Sequence, residues 1–206
     1  MSDPQHETAL AGLAGQTNTD GLAIEMSEIT GRGMIDLRGN LADRKFSQAA
    51  KKVLGVDLPK APRTSASKGD LVVLRLSVDQ WLITCAGGKT AKLLDDLNKV
   101  LVGVHSLAVD LSDARAIIRL KGNGVREIVM KGAPVDMLAP EMIKGAVRRL
   151  RFGELAAMVH IVDDRPDTFD LYVFRSYADF AWDWLAQTAA KPAAVRLFGR
   201  QDSPAV

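Results

Sequence analysis

Two apolar runs, Leu71–Leu76 and Trp81–Cys85, lie only four residues apart, and no other feature of the sequence constrains the fold as tightly. Both are rich in Val, Ile, Leu and Thr, and the connector Ser77-Val78-Asp79-Gln80 has the length and composition of a hairpin turn. The runs are therefore antiparallel neighbours. Leu22, Ile24, Met26 and Ile29 alternate in the same way, and after Gly31-Arg32-Gly33 comes Met34-Ile35-Asp36-Leu37-Arg38, which reads as a second strand pair. Helical spacing takes over at Leu41, Phe46, Ala49, Ala50, Val53 and Leu54, with Asn40 as the expected cap and Gly55 as the stop. Pro59 to Gly69 reads as a loop, and Gly87-Gly88 ends a strand before the leucine stripe Leu93, Leu94, Leu97 and Leu101.

The second half repeats this grammar. Strands are expected near Ser106–Asp110 and Ala114–Leu120, a helix near Val125–Met130, three strands between Val147 and Phe174, and a closing helix over 178–189. Helices that interrupt hairpins define an α+β class, not the strict strand-helix alternation of a doubly wound parallel sheet. The expectation is two ferredoxin-like halves of antiparallel sheet, 21–103 and 104–190, each with helices packed on one face. Residues 1–20 read as a flexible lead outside the core, with at most a short helix near Ala9 to Leu13, and 191–206 as a tail.

With 27 basic and 25 acidic residues the formal charge is +2, too balanced for the broad positive field of a nucleic-acid or anionic-membrane binder. Neither partner is expected. At 206 residues the chain can bury a core without staples, and its single Cys85 has no intrachain partner, which fits a reducing cytosol. The first seven residues lack the basic and apolar regions of a signal peptide, and no apolar run reaches membrane-spanning length. A soluble cytoplasmic protein is expected.

Gly122-Asn123-Gly124-Val125-Arg126-Glu127 follows a strand and opens a helix, as a dinucleotide fingerprint does, but Glu127 stands where the third glycine belongs. It reads as a glycine turn. His6, His105 and His160 are scattered, with no metal-binding spacing, and Cys85 ends the apolar run Trp81-Leu82-Ile83-Thr84 as a buried structural thiol. Asp163-Asp164-Arg165-Pro166-Asp167, with Asp170 nearby, lacks the EF-hand pattern and suits a solvated hairpin turn. Arg148, Arg149 and Arg151 are the densest basic cluster; strand alternation places Arg149 and Arg151 on one face and Arg148 on the other. No catalytic, cofactor-binding or metal-binding set emerges within the chain.

Several stretches together resemble the gamma-subunit family of heterotetrameric sarcosine oxidases, relatives of the folate-binding aminomethyltransferase fold. They are Leu37-Arg38-Gly39-Asn40, Leu76-Ser77-Val78-Asp79-Gln80-Trp81-Leu82-Ile83, Asp110-Leu111-Ser112-Asp113-Ala114-Arg115, Lys131-Gly132-Ala133-Pro134-Val135-Asp136, and Phe174-Arg175-Ser176-Tyr177-Ala178-Asp179-Phe180-Ala181-Trp182-Asp183-Trp184-Leu185. The last is the most distinctive. The resemblance implies an aminomethyltransferase-like fold and membership of a complex that demethylates sarcosine oxidatively to glycine. Hydrogen peroxide is released, and the methyl carbon leaves as formaldehyde or 5,10-methylenetetrahydrofolate. It further implies alpha, beta and delta subunits as partners, with FAD, FMN, NAD and tetrahydrofolate held by the partner subunits. The alternative is a free-standing folate-binding enzyme or regulator on the same fold. For that reading Asp110 and Asp113 are the nearest carboxylates to hold a pterin ring, although Asp113 equally suits a turn.

The closing helix carries the sharpest site expectation. Ala178, Ala181, Trp182, Leu185 and Ala189 share one face, and Phe180 with Trp184, at i and i+4, widen the apolar arc beyond what core burial requires. Either the cover over this helix is deep or the pair anchors a partner. Phe180, Trp184, Arg149 and Arg151 are accordingly the partner-interface candidates, and Ser176, with Asp179 three residues on, is the expected cap.

Overall fold

The computed structural model describes residues 7–13 and 24–190. Leu22, the tail and most of the expected lead lie outside them. Ten strands and four helices follow one another as β1 (Glu25–Glu28), β2 (Arg32–Gly39), α1 (Arg44–Leu54), β3 (Ser65–Lys68), β4 (Leu71–Arg75), β5 (Gln80–Ala86), α2 (Thr90–Val100), β6 (Ser106–Asp110), β7 (Arg115–Lys121), α3 (Val125–Gly132), β8 (Val147–Phe152), β9 (Leu155–Asp164), β10 (Asp167–Phe174) and α4 (Ala178–Ala189). They form two five-stranded antiparallel sheets, ordered β3-β4-β5-β2-β6 and β8-β9-β10-β7-β1.

The two orders are the same pattern twice. Within the first, β2-α1-β4-β5-α2-β6 is a complete ferredoxin-like unit; within the second, β7-α3-β9-β10-α4 is the same unit with its last place filled by β1 from the start of the chain. Strand β6 therefore lies in the first sheet and β1 in the second, and a cut near Gly103 does not separate the sheets. The expected β1–β2 hairpin does not form: β1 pairs with β7, whereas β2 lies between β5 and β6. Alternation identified both strands, but it carries no information about which neighbour a strand chooses.

Each sheet is buried on both faces, which explains the unbroken apolar run at Trp81–Cys85. On β2, Met34 points into a core shared between the sheets with Leu74, Leu82, Ile117, Met158 and Tyr172, while Ile35 and Leu37 point out against Phe46 and Ala50 of α1 and Leu97 of α2. On the far side, Ile118 and Leu171 meet Val129 of α3 and Leu185 of α4. The layers run helix, sheet, sheet, helix.

Local chemistry departs from the sequence reading at three ends. Asp43, not Asn40, caps α1 by accepting from the Lys45 amide at 2.8 Å; Asn40 makes a turn with Ala42 instead, and Gly55 closes the helix at φ 69° as expected. No side chain caps α4, because a 3-10 turn, Arg175–Tyr177, winds directly into it and leaves Ser176 exposed. Leu10, expected outside the core, is 1% exposed and packs beneath a turn pinned to Glu28 by Thr8 Oγ1 at 2.8 Å. Ala9 to Leu13 is that turn and not a helix. The loop expected at 59–69 contains β3, whose polar sequence Ser-Ala-Ser-Lys hides the strand period.

Candidate functional site

The chain crosses from one sheet to the other twice, from β1 to β2 and from β6 to β7, and the two crossings are equivalent. The Ile29 amide donates to the Ile117 carbonyl at 2.9 Å, and the Leu111 amide to that of Met34 at 2.8 Å. Gly87 N–H reaches Gly31 O at 2.7 Å, and Arg175 N–H reaches Ala114 O at 3.0 Å. Beside the crossings lies a hollow of about 380 Å³ whose charged lining includes Glu28, Arg32, Asp110, Asp113, Arg115 and Arg175. Asp110 and Asp113 both line it, on the β6–β7 crossing, and topology brings them beside Glu28 and Arg32 of the other crossing.

Most of the polar groups here are engaged within the fold. Asp110 accepts from the Ser112 amide at 2.8 Å and from its hydroxyl, while that hydroxyl accepts from the Met34 amide at 3.0 Å. Glu28 is held by Thr8 and by the Leu10 amide. Arg175 donates to the Glu7 carbonyl. Burial, and then the like charge of Arg149, lower the pKa of Arg115, against the pull of Asp36.

A second polar cluster lies between the sheets. Arg119 grips Asp170 with two bonds of 2.7 and 2.9 Å, Arg32 reaches Thr84 at 3.1 Å, and His160 sits 3.0 Å from the Ser65 hydroxyl. Burial holds the His160 imidazole down at about 4 and pushes the Tyr172 hydroxyl up. Asp170 is therefore an interior ion-pair partner, 5% exposed, separate from the acidic turn with which the sequence groups it. That turn, between β9 and β10, is the expected hairpin. Its Asp167 receives Arg126 of the Gly122–Glu127 segment at 2.8 Å, and Arg126 also donates to the carbonyls of Met137 and Met142. Cys85 is 2% exposed, and burial raises its thiol pKa. Among the described residues no group of three His, Cys, Asp or Glu is placed to hold a metal ion, and no helix is long and apolar enough to cross a membrane.

The interface candidates separate. Phe180 is 51% exposed, whereas Trp184 is half-buried and packs edge-on against Phe152 with ring centres 4.7 Å apart. Arg149 and Arg151 are exposed and share a face of β8; Arg148, opposite, is buried and donates to the Val147 carbonyl at 2.9 Å. The sequence pattern did not single out Phe174 and Tyr177, 40% and 46% exposed at the two ends of the 3-10 turn before α4. Phe174 ends a strand whose other aromatics are buried, and only the place where the sheet stops leaves it open to water.

The paired sheets, flanking helices and double crossing define an α+β protein of the aminomethyltransferase-like kind. The structure aligns over 84% of its length with 48% of the glycine cleavage system aminomethyltransferase T from Bartonella henselae, at TM-score 0.59 and 15% identity. It aligns over 93% of its length with 98% of a chain of the heterotetrameric sarcosine oxidase from Corynebacterium sp. U-96, solved with pyrrole 2-carboxylate, at TM-score 0.83 and 19% identity. No curated protein matches the chain by sequence. The model of the sarcosine oxidase gamma subunit family matches residues 38–191, and the chain belongs to that family.

Proposed function

We propose that the chain is the accessory gamma subunit of a cytoplasmic heterotetrameric sarcosine oxidase, supporting assembly with alpha, beta and delta subunits. Those partners carry the FAD, FMN, NAD and tetrahydrofolate with which sarcosine becomes glycine, hydrogen peroxide, and formaldehyde or 5,10-methylenetetrahydrofolate. The observation that carries this reading is the family match over residues 38–191, joined to a fold match that takes in nearly all of both chains. The chemistry of the polar groups supports it. Asp110, Asp167 and Asp170 are each engaged by a turn or an arginine, and Cys85 is buried with a raised pKa, so each serves the fold rather than a reaction.

The test is affinity purification of the tagged chain from its native host. Larger flavin-bearing chains are expected to copurify, and the isolated chain is expected to be colourless and to release no peroxide from sarcosine. Stoichiometric flavin absorbance in the isolated chain, or its purification without partners, overturns the reading.

A further inference from the structure

The doubled fold supplies its own control for deciding which residues the architecture requires. The hydrogen bonds from Gly87 and Arg175 to the two crossings make these residues equivalent, so Phe174, Tyr177 and Phe180 correspond to Ala86, Lys89 and Lys92. The first unit turns from strand to helix with small and charged residues. The second makes the same turn with three exposed aromatics within seven residues, while Trp81, Phe46, Phe152, Phe169 and Tyr172 are buried. The turn itself does not need them.

Their surroundings are concave, with arginines beside the rings. An open hollow of about 810 Å³ is floored by Ala9, Ala114 and Ala156 and walled by Phe174, Arg175 and Tyr177, with Glu154 also in its lining. The guanidinium of Arg115 lies 4.5 Å from the centre of the Phe174 ring, and the charge of Arg149 acts on it from β8. Glu154 offsets Arg151 in an exposed pair, and Asp36, facing Arg115, is shared with Gln80 and Arg38. Arg149 has no ion-pair partner among the described residues. Exposed aromatics beside arginines are the composition of interface centres.

We infer that the shoulder around Phe174 and Tyr177 is the surface on which the chain seats its partner subunit, and that it takes an acidic segment bearing a bulky apolar side chain. Small residues on the floor leave room for the apolar anchor, and the arginines meet the carboxylates. The inference rests on reading the chain as a subunit of a larger complex.

The test adds the purified chain to its separately produced partner subunits, with binding measured directly. Phe174→Ala with Tyr177→Ala is expected to weaken binding about a hundredfold and Arg149→Glu about tenfold, the latter more at low salt than at high. Lys89→Ala with Lys92→Ala, at the equivalent positions, is expected to bind as the unaltered chain does. Tyr177→p-benzoylphenylalanine should crosslink, on illumination, to a partner peptide in which Asp and Glu outnumber Lys and Arg. Unchanged binding of Arg149→Glu together with a crosslink to a basic peptide, or no crosslink at all, overturns the surface while leaving the subunit reading intact. Failure of the unaltered chain to bind overturns the subunit reading and this inference with it.

Discussion

The Ser65 hydroxyl lies 3.0 Å from Nε2 of His160 and joins the edge strand β3 of one sheet to the interior of the other. Ser65 donates its only proton to the Gly145 carbonyl at 2.9 Å, so His160 must be the donor in this pair, as the neutral tautomer protonated at Nε2. The nearest charges, Asp170 and Arg119, bind each other and act on the imidazole in opposite directions. Burial decides the outcome, and the ring stays neutral in the folded protein well below its ordinary titration range.

Stability should therefore depend on acid in a defined window. The unfolded chain takes up a proton near the ordinary value of 6.5, and the folded chain only at about 4. Between those values the unfolded state binds more protons, so stability is complete above pH 6.5, declines as pH falls towards 4, and loses no more through this group below it. The full loss is ~3 kcal/mol. His160→Gln should flatten the fall in melting temperature between pH 6.5 and 4; an equally steep fall in that variant would assign it to another group.

Arg126 ties the first turn of α3 to the β9–β10 hairpin and to two carbonyls of the 137–142 segment. Its side chain is 16% exposed and that of Asp167 14%, so removing the cation strands a carboxylate in a shielded place. Arg126→Ala should lower unfolding stability by about 3 kcal/mol, as breaking one side of a buried pair does. Denaturant titration measures it, and a loss under about 1 kcal/mol would mean that water replaces the pair.

Cys85 sits 3.8 Å from the Thr90 hydroxyl at the start of α2, buried on the outer face of β5. Cys85→Ser should cost about 1–3 kcal/mol, because a hydroxyl there is poorly satisfied. Thiol reagents should label the native protein slowly, at a rate set by local opening, and rapid labelling at neutral pH would contradict the buried thiol.

The residues that carry local signals were legible in the sequence. Leu93 to Leu101 marked α2, Ser77 to Gln80 marked the β4–β5 hairpin, and the helix expected over 178–189 is the one observed. What the sequence hid was pairing: β1 leaves its neighbours to join β7 in the second sheet, β6 returns from beyond the expected boundary to β2 in the first, and such contacts are remote from any local period. The hollow at the crossings was hidden for the same reason, since Glu28 and Asp113 are far apart until the two crossings meet. Ser176 misled because a hydroxyl before a helix is a good cap only when the chain enters extended, and here a 3-10 turn precedes it.

Phe180 and Trp184 test how far helical spacing can be trusted when it places two aromatics on one face. Trp184 turns inward over Gly132, where even a methyl group would come within 2.8 Å of its ring, and it closes on Phe152. Phe180, one turn earlier, faces water. Trp184→Ala should thus remove about 2 kcal/mol or more of stability, part of the cost of emptying a fully buried aromatic site. Phe180→Ala should change stability by less than about 0.5 kcal/mol, as an exposed substitution does. Its effect should be felt in assembly, because Phe180 is the third exposed aromatic of the segment that carries Phe174 and Tyr177. Thermal melts of both single variants, set beside their copurification with the larger chains, separate the two roles. Equal destabilisation by both would place Phe180 in the core, and undiminished copurification of Phe180→Ala would confine the contact to Phe174 and Tyr177.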